Sequence, residues 1–270
     1  MNNNLPDTSP ACALTIAGSD SCGGAGIQAD LKTFSAWQVE GASVITAITA
    51  QNTGGVTSAL PLSARLVADQ LEAVLDDIPV AAAKTGMLAN AGIIEAVAET
   101  LSAHDRVQLV IDPVMVATAG ARLLDTEAEQ VLIERLLPLA TLVTPNLPEA
   151  AVLSGLPADS DPRRLGEALL AKGCRAVLVK GGHASGPEVE DWLLTEDEAV
   201  CLRHPRNPGR IHGTGCTLSA AIAAELARGR DLNTAVHNAV PWLQKMIADH
   251  WLARLGKLGM LPFSQRRLDP

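Results

Sequence analysis

The chain contains no tyrosine, two phenylalanines and four tryptophans, so its aromatic content is 2%. That leaves too little planar surface for a base-stacking platform. It also lacks a basic surplus: 21 Lys and Arg stand against 30 Asp and Glu, a formal charge of −9. Nucleic acid is therefore excluded as a main partner, because few cations remain to displace counterions from a phosphate backbone. The five cysteines, Cys12, Cys22, Cys174, Cys201 and Cys216, form no CxxC pair. An odd, scattered set is neither a disulfide framework nor a zinc motif, and reduced thiols are expected. No GxxxxGK[ST] string occurs, which removes a Walker-type phosphate loop. The long uncharged stretch from Gly41 to Ala64 is broken by Gln51, Asn52, Gly54, Gly55 and Pro61. It reads as strand plus loop, not as a membrane span. The opening MNNNLPDTSP has neither a basic nor an apolar segment, so residues 1–12 are expected to be a disordered lead-in and the protein cytoplasmic.

What the sequence does have is core material: 270 residues at 47% hydrophobic and 19% charged, a globular composition. Short runs rich in Val, Ile, Leu and Ala recur at Ala13–Ala17, Val44–Ala50, Ala81–Lys84, Val107–Ile111, Thr141–Thr144 and Ala176–Val179. Their near-continuous hydrophobicity suits parallel strands covered on both faces. Between them lie segments of helical period; Val67, Leu71, Val74, Leu75 and Ile78 share one face opposite Arg65, Asp69, Glu72 and Asp76. Thr126 with Glu129 reads as a capping box, Asp161-Pro162 as an N-cap followed by a first-turn proline, and Gly155, Gly173 and Gly229 as helix stops. Asp191–Thr195 and Ala199–Leu202 read as an antiparallel edge hairpin, and further helices should begin near Thr214 and Leu232. The expectation is one doubly wound α/β domain over residues 13–255 with a tail from 256 to 270. Ligands should lie beyond the carboxyl ends of its strands.

Four clusters fall at such ends. The first, Gly18-Ser19-Asp20-Ser21-Cys22-Gly23-Gly24-Ala25-Gly26, permits close backbone approach. Its Gly24-x-Gly26-x-x-Ala29 fits a loose dinucleotide pattern, but the next long strand ends Ala50-Gln51-Asn52 without the acid that binds ribose. In the second, His212-Gly213-Thr214-Gly215-Cys216-Thr217, glycine-flanked amides at a helix start form an anion nest whose field favours a thiolate at Cys216. The third pairs Asp112-Pro113 with Asn146-Leu147-Pro148-Glu149, carboxylates able to hold Mg²⁺. The fourth is Lys180-Gly181-Gly182-His183. Each alone also fits a structural role: tight turn, close helix packing, capping box and solvated lysine respectively. Together they offer positioning, Mg²⁺, charge stabilisation and a group for the attacking hydroxyl, which points to an ATP-dependent small-molecule kinase without a P-loop.

The strings AGSDSCGGAGIQADLKTFSA, TAITAQNT, KTGMLAN, DPVMVA, LLPLATLVTPNLPEA, AVLVKGGH and HGTGCTLSAAIAAELARG, spread over Leu14 to Gly229, resemble the hydroxymethylpyrimidine/phosphomethylpyrimidine kinases of thiamine biosynthesis, in the ribokinase-like superfamily. The resemblance implies two successive transfers from ATP, giving the pyrimidine diphosphate, and a homodimer. It implies that Cys216 is the base or activator, within an anion hole of Gly213, Thr214 and Gly215. Gly18, Asp30, Thr49, Gln51, Met87 and Val114 would line the pyrimidine pocket, with Gln51 bonding the aminopyrimidine edge. Asp112 and Glu149 would serve Mg²⁺, and Asn146, Lys180, Gly182 and Thr214 would lie along ATP. The sequence departs from the family at Cys22, where Gly or Ser is usual, at Asn207–Ile211, and in the tail. A pyridoxal kinase is the near alternative and a dinucleotide-dependent oxidoreductase the distant one.

Overall fold

In the computed structural model the described residues are 10–116, 120, 122–183, 186–207, 211–250, 258–261 and 263. Residues 1–9 of the expected lead-in, 208–210 of the atypical segment and most of the tail lie outside them. Cys12 already belongs to the first strand. The chain runs β1 (Cys12–Asp20), α1 (Gly26–Ala36), β2 (Glu40–Asn52), β3 (Gly55–Pro61), α2 (Ala64–Leu75), β4 (Val80–Thr85), α3 (Ala91–Ser102), β5 (Gln108–Ile111) and α4 (Thr126–Val131). It continues through β6 (Leu142–Val143), α5 (Leu147–Ser154), α6 (Pro162–Leu170), β7 (Ala176–Val179), β8 (Glu188–Thr195), β9 (Ala199–Pro205), β10 (Ile211–His212), α7 (Thr214–Ala227), α8 (Leu232–His250) and β11 (Gly259–Met260).

Nine strands form one sheet in the order β3-β2-β1-β4-β5-β6-β7-β8-β9. The six from β2 to β7 are mutually parallel, while β3 pairs antiparallel with β2 and β8 with β7. Side chains alternate between two cores, as a two-faced sheet requires. Leu14, Leu109, Ile111, Val143 and Val177 face the cluster containing Val67, Leu71, Ile93, Ile94 and Leu165 of α2, α3 and α6. Ala13, Val110, Leu142, Ala176 and Leu178 face the one containing Phe34, Leu218, Ile222 and Val236 of α1, α7 and α8. α7 is buried from Thr217 to Ala227; its alanines let it lie close to the sheet, and its buried polar groups are satisfied, Thr217 and Ser219 by donating to the Gly213 and Gly215 carbonyls and Glu225 by pairing with Arg228.

Every apolar run read as a strand lies in or overlaps one, and the hairpin β8–β9 closes one edge as expected. Two local readings are corrected. The segment after Asn52 is a strand, β3, because Gly55 opposite Asn52 closes a tight turn and Thr49, Ala50 and Gln51 find ladder partners. Thr126 is the first helical residue and not a cap: Asp125 holds the N-cap position without a side-chain bond, and Glu129 pairs with Arg122 instead of reaching back. Asp161 and Gly155 act as read, the first accepting from Arg163 N–H, the second left-handed at φ 76°.

The chain turns from β2 back across β1 to β4, so sheet order reverses beside β1, where a doubly wound sheet opens its crevice. The C-terminal region returns to this end. Ile211 and His212 pair with Gly259 and Met260, and Leu261 is buried.

Candidate active site

Beyond the carboxyl ends of the strands, two glycines set the geometry. Gly213 is left-handed (φ 82°) and caps α7 with no side chain bonding to its first-turn amides. A Cβ there would lie 1.7 Å from the carbonyl oxygen of Gly24, and one on Gly26 (φ 56°) would lie 2.2 Å from that of Gly18. Only glycine fits either place, so the β1–α1 loop and the start of α7 rest backbone against backbone. The first amides of α7, Thr214 to Cys216, lack a capping acceptor, a donor set suited to an anion.

That nest faces charge. Lys180 Nζ lies 2.9 Å from Asp112 Oδ1, and a Cβ added to Gly215 would be 3.3 Å from Lys180 Nζ and 3.8 Å from Asp112 Oδ2. Lys180 N–H donates to Pro145 O at 2.8 Å, and a bridge between Asn146 and Lys180 prolongs the β6–β7 ladder. This sets Asn146, Glu149 and Lys180 side by side. Asn146 and Glu149 form a full capping box, each side chain accepting the other's backbone N–H. Burial drives the Glu149 carboxyl up to about 7; Lys180 pulls it down, Asp112 pushes it up, and the N–H groups of Asn146 and Met115 pull it down. Two carboxylates thus share more negative charge than one lysine neutralises. The donor set fits a hard divalent cation such as Mg²⁺.

Asp30 is placed differently from the expectation. It is fully buried: Lys84 Nζ sits 3.1 and 3.0 Å from its two oxygens, and Thr15 Oγ1 donates to it at 2.6 Å. It therefore forms the floor beneath the cleft and not the cleft's surface. Despite burial, Asp30 holds Lys84 protonated, well above the ordinary lysine value. Lys84 was not singled out from the sequence, although a lysine ending the apolar run Ala81-Ala82-Ala83 was signal enough.

Cys216 also corrects its reading. Burial pushes its thiol up to about 11; Lys84 pulls it down, Asp112 and Asp30 push it up, and a Gly26 N–H pulls it down. The helix field does not overcome desolvation, and the resting group is the thiol, not the thiolate.

The remaining wall residues converge. Gly18 packs on Met87, where a Cβ would lie 3.1 Å from its sulfur, and Thr49 Oγ1 donates to Ser19 O at 2.8 Å. Gln51 is partly buried, its backbone bonded both ways to the Ser21 hydroxyl at 2.8 Å. Val114 follows Asp112 at the end of β5, partly exposed, and Gly182 is exposed in the turn after β7. The sequence reading assigned no role to Asp20 or His212. His212 Nε2 lies 2.9 Å from Asp20 Oδ2 and 3.2 Å from the Gln51 amide. Burial raises the Asp20 carboxyl, but hydrogen bonds from His212, Cys22 and the N–H groups of Cys22 and Ala25 hold it at about 2. An ionised Asp20 only accepts, so His212 must carry its proton on Nε2. The Gln51 amide then best turns its oxygen to His212 and its nitrogen to Thr49 Oγ1, whose proton is already given to Ser19 O.

A separate cavity of about 300 Å³, lined by Ala36, Trp37, Gln38, Arg228 and Trp242, opens near the other ends of α1 and α7. Its lining offers no nucleophile or base. Among the described residues no helix is long and apolar enough to cross a membrane.

Comparisons with known proteins give the chain its relatives. A family model described as phosphomethylpyrimidine kinase matches residues 20–260. A hydroxymethylpyrimidine/phosphomethylpyrimidine kinase of Rhizobium meliloti is 53% identical over 242 residues, covering 88% of this chain and 91% of its own. The crystal structure of a phosphomethylpyrimidine kinase from Clostridium difficile superposes with TM-score 0.78 at 44% identity, covering 87% of this chain and 99% of that one. A Staphylococcus aureus pyridoxal kinase in complex with AMP-PCP and pyridoxal gives TM-score 0.85 at 33% identity, covering 94% of both chains.

Proposed function

Because the chain belongs to the phosphomethylpyrimidine kinase family, whose members are phosphotransferases, we propose that it phosphorylates 4-amino-5-hydroxymethyl-2-methylpyrimidine and then its monophosphate, using ATP, in thiamine biosynthesis. The observation that carries this reading is the uncapped start of α7 facing Lys180 and Asp112. It is an anion hole beside a cation and a carboxylate, at the crevice of the sheet. The higher identity to pyrimidine kinases, 43–53%, than to pyridoxal kinases, 33–37%, favours the pyrimidine ring.

In this reading the ring sits over the Asp30–Lys84 floor, between Gly18, Thr49, Met87 and Val114, with its polar edge on Gln51. Asn146, Lys180, Gly182 and Thr214 line the nucleotide. Asp112 and Glu149 would hold Mg²⁺, which supplies charge neutralisation for the nucleotide phosphates. The amides of Gly213 to Cys216 meet the charge that develops on the transferred group. Once its own S–H proton has passed to solvent, Cys216 takes the hydroxyl proton in the first transfer as a thiolate. Burial opposes that thiolate, Lys84 and the Gly26 N–H favour it, and Asp112 and Asp30 oppose it. The second transfer has no alcohol proton to remove.

Residues 13–255 form one kinase domain in this reading, and five unpaired cysteines suit a reducing cytoplasm. Homodimer formation is supported by Ile48 and Leu60, 51% and 65% exposed and directly opposed across the β2–β3 edge. Product analysis after incubation with ATP, Mg²⁺ and hydroxymethylpyrimidine, with pyridoxal in parallel, tests the function. Diphosphate formed from the pyrimidine supports it, and preferential pyridoxal phosphorylation would replace the ring assignment.

A further inference from the structure

Asp20, Cys22 and His212 bring a carboxylate, a thiol and an imidazole within 4.8 Å of one another, from two segments 190 residues apart. Both hydrogen-bond protons converge on one oxygen. Cys22 Sγ is 3.4 Å and His212 Nε2 2.9 Å from Asp20 Oδ2. Asp20 is independently fixed by backbone donors: Cys22 N–H at 3.0 Å on Oδ1, Gly24 N–H at 3.1 Å and Ala25 N–H at 2.8 Å on Oδ2. His212 is held by the β10–β11 pairing and by contact with Gly24, where an added Cβ would meet its ring at 2.7 Å. Asp20 is 3% and His212 5% exposed, whereas Cys22 is partly exposed and gives a route in from solvent.

We propose that these three side chains form a binding site for a borderline-soft divalent cation, Zn²⁺, which bridges the β1–α1 glycine loop to the approach to α7. Sulfur, imidazole nitrogen and carboxylate oxygen are a zinc donor set, and Mg²⁺ has little affinity for two of the three. Zn²⁺ replaces both converging protons. The Cys22 S–H bond breaks and its proton leaves to solvent, while the imidazole stays neutral by carrying its proton on Nδ1. One thiolate and one carboxylate then balance the ion, so the buried site ends neutral, with one proton released per ion bound. The site is separate from the carboxylates assigned to Mg²⁺ and does not depend on the substrate assignment. It escapes any sequence motif because its third ligand, His212, lies 190 residues beyond Cys22.

Titration of the full chain with Co²⁺ at pH 8, without nucleotide, should show one equivalent of tetrahedral d–d absorption together with a near-ultraviolet thiolate-to-cobalt charge-transfer band. One equivalent of Zn²⁺ should bleach both, and excess Mg²⁺ neither. Cys22→Ser should remove the charge-transfer band and weaken Zn²⁺ binding by more than about 100-fold, because even outer-shell partners are worth about 10–100-fold. Cys201→Ser should retain the band. A second readout needs no variant: in the wild-type chain Zn²⁺ should slow alkylation of Cys22 relative to Cys201, followed by mass spectrometry. A band that survives Cys22→Ser, no thiolate band in the wild type, or equal slowing at both cysteines would overturn the proposal.

Discussion

Replacing Glu149 by glutamine sets stability against function at a single carboxyl. Glu149 is 7% exposed, and burial carries it from 4.5 up to about 7. Below pH 4.5 the group is protonated in both the folded and the unfolded chain, so it adds no penalty. Between 4.5 and about 7 the folded chain binds the proton more tightly, so wild-type stability falls as pH rises through that window. Above 7 the loss is complete. A rise of this size, at about 1.4 kcal/mol per pH unit, corresponds to about 3 kcal/mol. Glutamine keeps an oxygen for the Asn146 N–H and carries no charge. Urea unfolding at a series of pH values, with no divalent cation, should therefore give equal stability near pH 4. The variant should gain progressively between pH 4.5 and 7 and level off about 3 kcal/mol above wild type by pH 8. Added Mg²⁺ should stabilise the wild type and not the variant, and the variant's turnover should fall because Mg²⁺ prefers carboxylate to amide oxygen. A stability difference that is flat with pH, or equal Mg²⁺ stabilisation of both proteins, would refute the reasoning and leave Glu149 as a helix cap only.

Other perturbations separate the remaining roles. Cys216→Ser should slow phosphorylation of the hydroxymethyl group by about 10²–10⁴-fold, the usual worth of a general base. Phosphorylation of the monophosphate, which needs no base, should suffer less; assays started from each substrate check this, and equal loss would mean that Cys216 only shapes the anion hole. Gln51→Ala should raise the Michaelis constant for the pyrimidine by roughly 5–150-fold, the equivalent of about 1–3 kcal/mol for an unpaired buried polar group, with the constant for ATP unmoved. Lys84→Met strands a fully buried Asp30 and should destabilise the fold by about 3–5 kcal/mol in denaturant unfolding. Gly215→Ala should fold, since its Cβ meets the flexible end of Lys180 at 3.3 Å and Asp112 Oδ2 at an ordinary contact of 3.8 Å, yet lose turnover by filling the nest. Gly213→Ala, 1.7 Å from a carbonyl oxygen, should not reach the native fold.

The inner parallel strands were legible because they are buried on both faces, and a run such as Ala176–Val179 has no other use for four apolar residues in sequence. β3 was not, because all but its first two residues are exposed and its order comes from β2 alone. The glycines of the anion nest announced themselves through local backbone demands. The electrostatic state of the site did not: Cys216 sits at a helix start, which favours thiolate, but Asp30 and Asp112 lie 186 and 104 residues away along the chain and enclose it with burial and negative charge. Asp30 was misplaced for the same reason, since its fate depends on Lys84, 54 residues on. Short-range pattern carries backbone geometry; charge balance is a property of the assembled site.

The pairing of His212 with Met260 has a consequence in time. Met260 closes on Gly24, where an added Cβ would lie 3.1 Å from its terminal methyl, and 236 residues separate the two along the chain. At about 5–20 residues per second a ribosome needs roughly 12–50 s to travel that far. The first glycine loop therefore emerges early in synthesis and waits, uncovered, through the making of nearly every other element of the fold. Until His212 and Gly213 are available the nascent chain can carry a nearly complete sheet with an unroofed glycine loop, and until residue 260 that roof lacks Met260.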